Sequence, residues 1–168
     1  MKSREYINCK NCDGEVTADS DFCPHCGVLL KGIGTLRCDT HAQRISSGVC
    51  VICRKVVCIE CSKVVHGRSL CLDHKKIEIR QDWALAFQST EISDSELVKA
   101  VLESEGFHIE VQNFNSIGFV WDGGGDSPIS RSNISKPAKV FVPIPEFLEA
   151  VDVIKDWNAS KKAEEAEQ

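Results

Sequence analysis

What most limits this chain is a run of eight Cys and His residues between Cys38 and His74. Cys38 and His41, Cys50 and Cys53, Cys58 and Cys61, and Cys71 and His74 form four pairs, each with two residues between its members. A two-residue gap lets a tight turn aim both side chains at one metal ion, and a tetrahedral structural site takes two such pairs. Eight ligands therefore imply two zinc ions. Two of the pairs mix His with Cys, and His binds zinc but cannot enter a disulfide, which argues against a disulfide framework. A thioredoxin-like redox motif lacks its context, because no pair opens the helix of a recognisable βαβ unit.

Which pairs share a metal is a topological question. Only four residues separate Cys53 from Cys58, so the second and third pairs on one ion would need a very tight loop. Neighbouring pairs (first with second, third with fourth) and alternating pairs (first with third, second with fourth) both remain open. Spacing does not choose between them. The four segments CDTH, CVIC, CIEC and CLDH resemble a B-box zinc finger in a prokaryotic-style variant. That resemblance implies the alternating, cross-braced scheme, with one zinc on Cys38, His41, Cys58 and Cys61 and the other on Cys50, Cys53, Cys71 and His74. The chain departs from the animal pattern in ending on Cys71 and His74 rather than a His pair, which leaves His66 as a ninth candidate ligand. His66-Gly67 between Val64-Val65 and Ser69-Leu70 reads better as a hairpin turn.

Ahead of this run, Cys9, Cys12, Cys23 and Cys26 form a C-x2-C-x10-C-x2-C array, the spacing of two metal-binding knuckles facing each other across a short hairpin. Gly14 and Gly27 are expected to supply the positive φ that knuckles require. Residues 7–30 resemble the short zinc-ribbon modules of bacterial and archaeal proteins, and His25 reads as an exposed knuckle residue. The twelve ligands divide into three complete sites, implying three Zn²⁺ ions and leaving no cysteine for nucleophilic catalysis. Small metal modules bury little apolar surface, so ligation replaces a core, at roughly 10 to 16 kcal/mol per structural zinc. Residues 31–37 contain Gly32 and Gly34 and no apolar periodicity, so they read as a connector that lets a ribbon (1–30) and a B-box-like finger (38–76) move independently.

Charge narrows the partners. Residues 38–80 carry a formal +4, which falls to about +2 once two Zn²⁺ and their thiolates are counted; residues 1–37 come to about -2 on the same basis. Neither segment has the positive footprint of a phosphate-binding surface or an aromatic platform for bases. Nucleic acid is thus disfavoured as a partner. The first eight residues lack the apolar core of a signal peptide, and no run approaches the roughly 18 apolar residues of a membrane span. These features, with so many thiolates, predict a soluble cytoplasmic protein.

From residue 81 the cysteines stop. Residues 83–89 are expected as a first strand, and Ser93 with Glu96 as a capping box opening a helix, stapled by Ile92 and Leu97. Leu97, Val98, Val101 and Leu102 mark its apolar face, and Gly106 suits its C-terminal turn. Phe107, Ile109 and Val111 alternate with His108, Glu110 and Gln112 as a strand buried on one side. Strands at 117–121 and 139–143 follow, then a helix starting at Pro145 with Phe147, Leu148, Val151 and Ile154 on its buried face. The glycine run 123–125 reads as a flexible loop rather than a phosphate cradle, since no Lys-Ser/Thr follows it. Residues 158–168 read as a polar tail.

The expected architecture is therefore small zinc-stabilised modules followed by an α+β sandwich, β-α-β-β-β-α, ferredoxin-like or half-ferredoxin-like. Residues 83–157, through the segments LESEGF and VFVP, resemble a small prokaryotic domain family described as signal-transducing and of unknown function, which implies no catalytic residues. Residues 81–168 carry a net -9, unsuited to polyanions. The expectation is a zinc-binding, non-enzymatic adaptor with a protein partner. A homodimer through the C-terminal sheet is a further expectation, because both helices are needed to cover one sheet face. Rival readings are a nucleic-acid-binding regulator and an accessory subunit of an enzyme or a ubiquitin-ligase-like factor.

Overall fold

A computed structural model describes residues 5–31, 36–114 and 136–166. The chain divides into two compact units, Met1–Ile77 and Glu78–Gln168.

Among the described residues the first unit contains three short antiparallel hairpins. β1 (Tyr6–Asn8) and β2 (Glu15–Thr17) pair antiparallel around the turn that holds Cys9 and Cys12. β3 (Gly48–Val49) and β4 (Val56–Val57) flank Cys50 and Cys53 in the same way. β5 (Ser62–Val65) and β6 (Arg68–Cys71) are joined at His66-Gly67. Both turn residues have positive φ, 49° and 76°, the geometry that suits a tight two-residue hairpin. His66 is thus a turn residue, as its sequence neighbours indicate. Cysteines dominate the small core of residues 5–31, where Cys9, Cys23 and Cys26 are buried beside Val16, with Val28 and Leu30 against them.

The whole of Met1–Ile77 is one unit, and the second N-terminal knuckle is hydrogen-bonded to the β3 and β6 segments. Sequence could not show this, because the carbonyls that make the junction belong to the backbone.

The second unit is an antiparallel sheet of order β7-β8-β10-β9, formed by β7 (Ile79–Arg80), β8 (Trp83–Ser89), β9 (Glu110–Gln112) and β10 (Ala138–Pro143). α1 (Ile92–Ser104) and α2 (Phe147–Ala166) touch each other and both lie against β8 and β10, which places them on one sheet face. Ala84, Val98, Leu102, Val140, Val142, Ala150 and Ile154 are buried. Lys161 of α2 reaches Asp94 of α1 at 3.0 Å.

Several local expectations change. α1 opens at Ile92 with Glu91 as N-cap and no side-chain cap, so Ser93 lies inside the first turn and the Ser93–Glu96 box does not form. Ser89 Oγ instead accepts from the Glu91 N–H at 3.0 Å. Leu97 and Leu148 are exposed, and Ser95 is buried on the same face of α1 as Val98 and Leu102. The end of α1 follows expectation: Gly106 has φ 86°, Gly106 N–H donates to Glu103 O and Phe107 N–H to Leu102 O, the paired bonds of a Schellman motif. The following strand is shorter than its alternation suggests, since Phe107 and Ile109 precede β9. Pro145 sits in a 3-10 turn, Ile144–Glu146, that feeds α2, and α2 continues through most of the expected polar tail to Ala166. The strand expected at 117–121 and the glycine loop at 123–125 lie outside the described residues.

Candidate metal centres

Three pairs share one backbone pattern. The N–H of the first cysteine donates to the carbonyl five residues on (Cys9 to Gly14, Cys23 to Val28, Cys50 to Lys55, at 2.8 to 2.9 Å), and the N–H four residues on donates back to the cysteine carbonyl. The residue after the second cysteine then needs positive φ: Asp13 has 56°, Gly27 has 77° and Arg54 has 62°. Gly14 is therefore not the left-handed residue of its knuckle. It is small for another reason, since a Cβ there would meet the His25 ring at 2.6 Å. The other three pairs are simpler turns, closed by Cys61 N–H to Cys58 O, His74 N–H to Cys71 O, and Cys38 N–H to Arg44 O with Arg44 N–H to His41 O.

The twelve residues come together as three groups of four. They are Cys9, Cys12, Cys23 and Cys26 (the first cluster); Cys38, His41, Cys58 and Cys61 (the second); and Cys50, Cys53, Cys71 and His74 (the third), with the ligand-type atoms of each group within 4.8 Å of one another. The second and third clusters thus follow alternating pairs. β4 is one reason: an extended strand advances about 3.3 Å per residue, carrying Cys58 away from Cys53. Asp39 is another, because its N–H donates to Val56 O at 2.9 Å while its Oδ2 accepts from Val56 N–H at 2.8 Å. That clamp sets the first pair beside the end of β4 from which Cys58 emerges.

The donor geometry fits a tetrahedral ion. With metal–sulfur bonds of about 2.3 Å and metal–nitrogen bonds of about 2.0 Å, tetrahedral edges are about 3.5 to 3.8 Å. Sulfur separations are 3.8 Å for Cys9–Cys26, 3.6 Å for Cys12–Cys23 and 3.8 Å for Cys53–Cys71. His41 presents Nδ1 at 3.6 Å from Cys58 Sγ and 3.2 Å from Cys61 Sγ, and His74 presents Nδ1 at 3.6 Å from Cys50 Sγ and 3.2 Å from Cys71 Sγ. The clusters can therefore hold metal ions, and their sulfur and imidazole donors are compatible with zinc. His25 and His66 belong to none of them.

Electrostatics gives the same result. Burial alone would raise the Cys58 thiol, but the Cys61 and Glu60 N–H groups and neighbouring thiols hold it at about 7. Burial also opposes ionisation of Cys9, which the Asn11 and Cys12 N–H groups bring down to about 7. Their neighbours go the other way: burial, then the Cys58 and Cys38 side chains, push Cys61 up to about 11, and burial with the Cys50 charge pushes Cys53 up to about 12. In the second cluster Cys38 as well as Cys58 is lowered while Cys61 is raised, and in the third Cys50 is lowered while Cys53 is raised, so thiols that ionise readily sit beside thiols that resist it. A divalent cation removes that conflict.

No family model, curated protein or solved structure matches the chain. The family resemblances therefore rest on the ligand spacing and segments themselves.

Sequence reading found every clustered residue but not the side chains that support them. Asp39 and Arg44 are two such residues: Asp39 clamps Val56, and Arg44 pairs with Glu60, between Cys58 and Cys61. Neither carries a sequence signal beyond lying close to a Cys-x-x-His pair. No described helix is long and apolar enough to cross a membrane.

Proposed function

We propose that this chain is a zinc-binding, non-enzymatic adaptor, in which three Zn²⁺ ions hold residues 1–77 folded and the acidic second unit engages a protein partner. The observation that carries the reading is that each cluster supplies four protein ligand atoms. Four protein ligands complete a tetrahedron, whereas a catalytic zinc keeps a position for water or substrate. Bound zinc would supply charge neutralisation and a fixed crossing point for the hairpins; Cys58, Cys9 and the other thiolates would be held in their ionised form.

The B-box, zinc-ribbon and signal-transducing likenesses support an interaction role by analogy. Charge supports a protein partner over nucleic acid, since residues 81–168 carry a net -9 and the metal-loaded first unit is close to neutral. A reducing cytoplasm suits ten thiolates. The sheet face of the second unit opposite α1 and α2 is where that partner or a second copy of the chain would bind.

Elemental analysis of the purified full chain tests the metal half, with three zinc ions per chain expected and two or fewer overturning it. Affinity capture with mass spectrometry tests the adaptor half. A specific protein retained through high-salt washing supports it, and salt-sensitive recovery of nucleic acid alone favours the rival regulator. Light scattering separates a dimer from a monomer.

A further inference from the structure

In the second N-terminal knuckle, from Cys23 to Gly27, four consecutive peptide carbonyls are all taken by residues of the eight-ligand segment. Arg54 Nη1 donates to Pro24 O at 2.8 Å and Arg68 Nη1 to His25 O at 3.0 Å. Ser69 N–H donates to Cys26 O and Val49 N–H to Gly27 O, both at 2.8 Å. Asn11, in the other knuckle, reaches Gly67 O at 3.0 Å.

Three of these partners adjoin the third cluster. Val49 precedes Cys50, Arg54 follows Cys53, and Ser69 lies two residues before Cys71 on β6, where its carbonyl also accepts from Val51 N–H at 3.0 Å. The junction has no slack. A Cβ on Gly27 would lie 2.0 Å from Val49 O, and Gly48 is 3.0 Å from Gly27 O by the same measure. None of the bonds joining residues 5–31 to the eight-ligand segment, among those described, involves a ligand residue of the second or third cluster, and the third is reached through Val49, Arg54 and Ser69 beside its ligands.

We infer that the first and third clusters are thermodynamically coupled metal sites, so that filling one raises the affinity of the other, while the second cluster responds far less to the first. The inference rests on the reading of the clusters as metal sites. The physical cause is shared ordering. An ion in the first cluster fixes the knuckle and aligns four acceptors. Those acceptors position the backbone on both sides of Cys50–Cys53 and ahead of Cys71, so ordering of the third cluster has already begun before its own ion arrives. Coupling of this kind is reciprocal. The first unit would then fill and empty two of its sites together over a narrow range of free metal.

The test is Co²⁺ titration of the reduced, metal-free full chain, read by thiolate-to-cobalt absorption and by ion counts from native mass spectrometry. With the second cluster removed (Cys38→Ser, Cys58→Ser), the first and third clusters are expected to fill together. Removing the first cluster's ligands as well (Cys23→Ser, Cys26→Ser) should weaken the third on the order of tenfold, and removing Cys50 and Cys53 should weaken the first by the same factor. In a chain lacking the third cluster, removing the first should change the second by less than about twofold. Gly27→Ala, and separately Arg54→Gln with Arg68→Gln, keep all twelve ligands and should split joint filling into two steps. An unchanged third-cluster affinity overturns the inference. So does an equal loss at the second cluster, which would indicate general loosening. A wild-type chain that takes up fewer than three ions overturns the underlying metal reading instead.

Discussion

Asp39 shows how one unremarkable side chain directs a metal site. By accepting from and donating to the same residue, Val56, it fixes where β4 delivers Cys58. Replacing it with Ala removes one hydrogen bond, an expected loss of about 1 kcal/mol. That loss should fall on the second cluster: cobalt affinity there is expected to drop several-fold, with the first and third unchanged, and uniform weakening of all three would contradict the clamp. In the second unit, Glu78 has the corresponding electrostatic role. Its hydrogen bond to Lys139, supported by Arg80 and opposed by burial, lowers its pKa. A carboxylate depressed in the folded state stabilises above its unfolded value near 4.3 and loses that contribution as pH falls through the folded value. Glu78→Gln should therefore cost about 1 kcal/mol at neutral pH. Thermal melting should show the difference from wild type shrinking below pH 4.3; a pH-independent difference would rule out the charge as its cause.

At the scale of elements, the unit of construction in residues 5–77 is the pair of ligands plus the hairpin that presents it. Three pairs are full knuckles with a left-handed residue after the second cysteine, and three are plain turns. The first cluster joins two knuckles, the second two turns, and the third one of each. Double substitutions read the pairing directly. Cys38→Ser with Cys58→Ser should remove one cobalt site's absorption, and Cys38→Ser with Cys50→Ser should remove two; the reverse result would mean neighbouring pairs. In the second unit the informative element is β8. Trp83 and Phe87 would share a face in a regular strand, but the register with β10 shifts between Val140 and Phe141, pairing Leu85 with Phe141 and Phe87 with Val140. The bulge puts Trp83 and Phe87 on opposite faces. The face bearing Trp83, Leu85 and Phe141 carries Arg80 over the Phe141 ring at 5.6 Å.

For the whole molecule, the two units owe their stability to different things. The first has a core made largely of cysteines, and the second has a sheet and two helices that bury ordinary apolar residues. A strong chelator at neutral pH should accordingly unfold the first unit and leave the second folded. Circular dichroism is expected to keep the signal of α1 and α2 while the hairpin amides of residues 5–77 lose protection from hydrogen exchange. Simultaneous loss of both would show that the second unit depends on metal too.

The membership of the clusters was legible in the sequence because metal chemistry admits few residue types, and a two-residue gap constrains the chain locally. Cys58 and Cys61 could be named with no knowledge of what they face. The two long helices and strands β8 and β10 were readable for a similar reason, since their apolar periodicity is local. Tertiary structure decided matters that depend on a distant partner. Spacing left two pairings open, and the placement of β4 by Asp39 selects one. Gly14 and Gly27 look alike in sequence, yet one makes room for the His25 ring and the other for the Val49 carbonyl. The capping box failed because Ser93 was drawn into a helix whose buried face begins at Ser95. The joining of the knuckle to the third cluster left no trace in residue types, because it is made mostly of backbone carbonyls, which every residue carries.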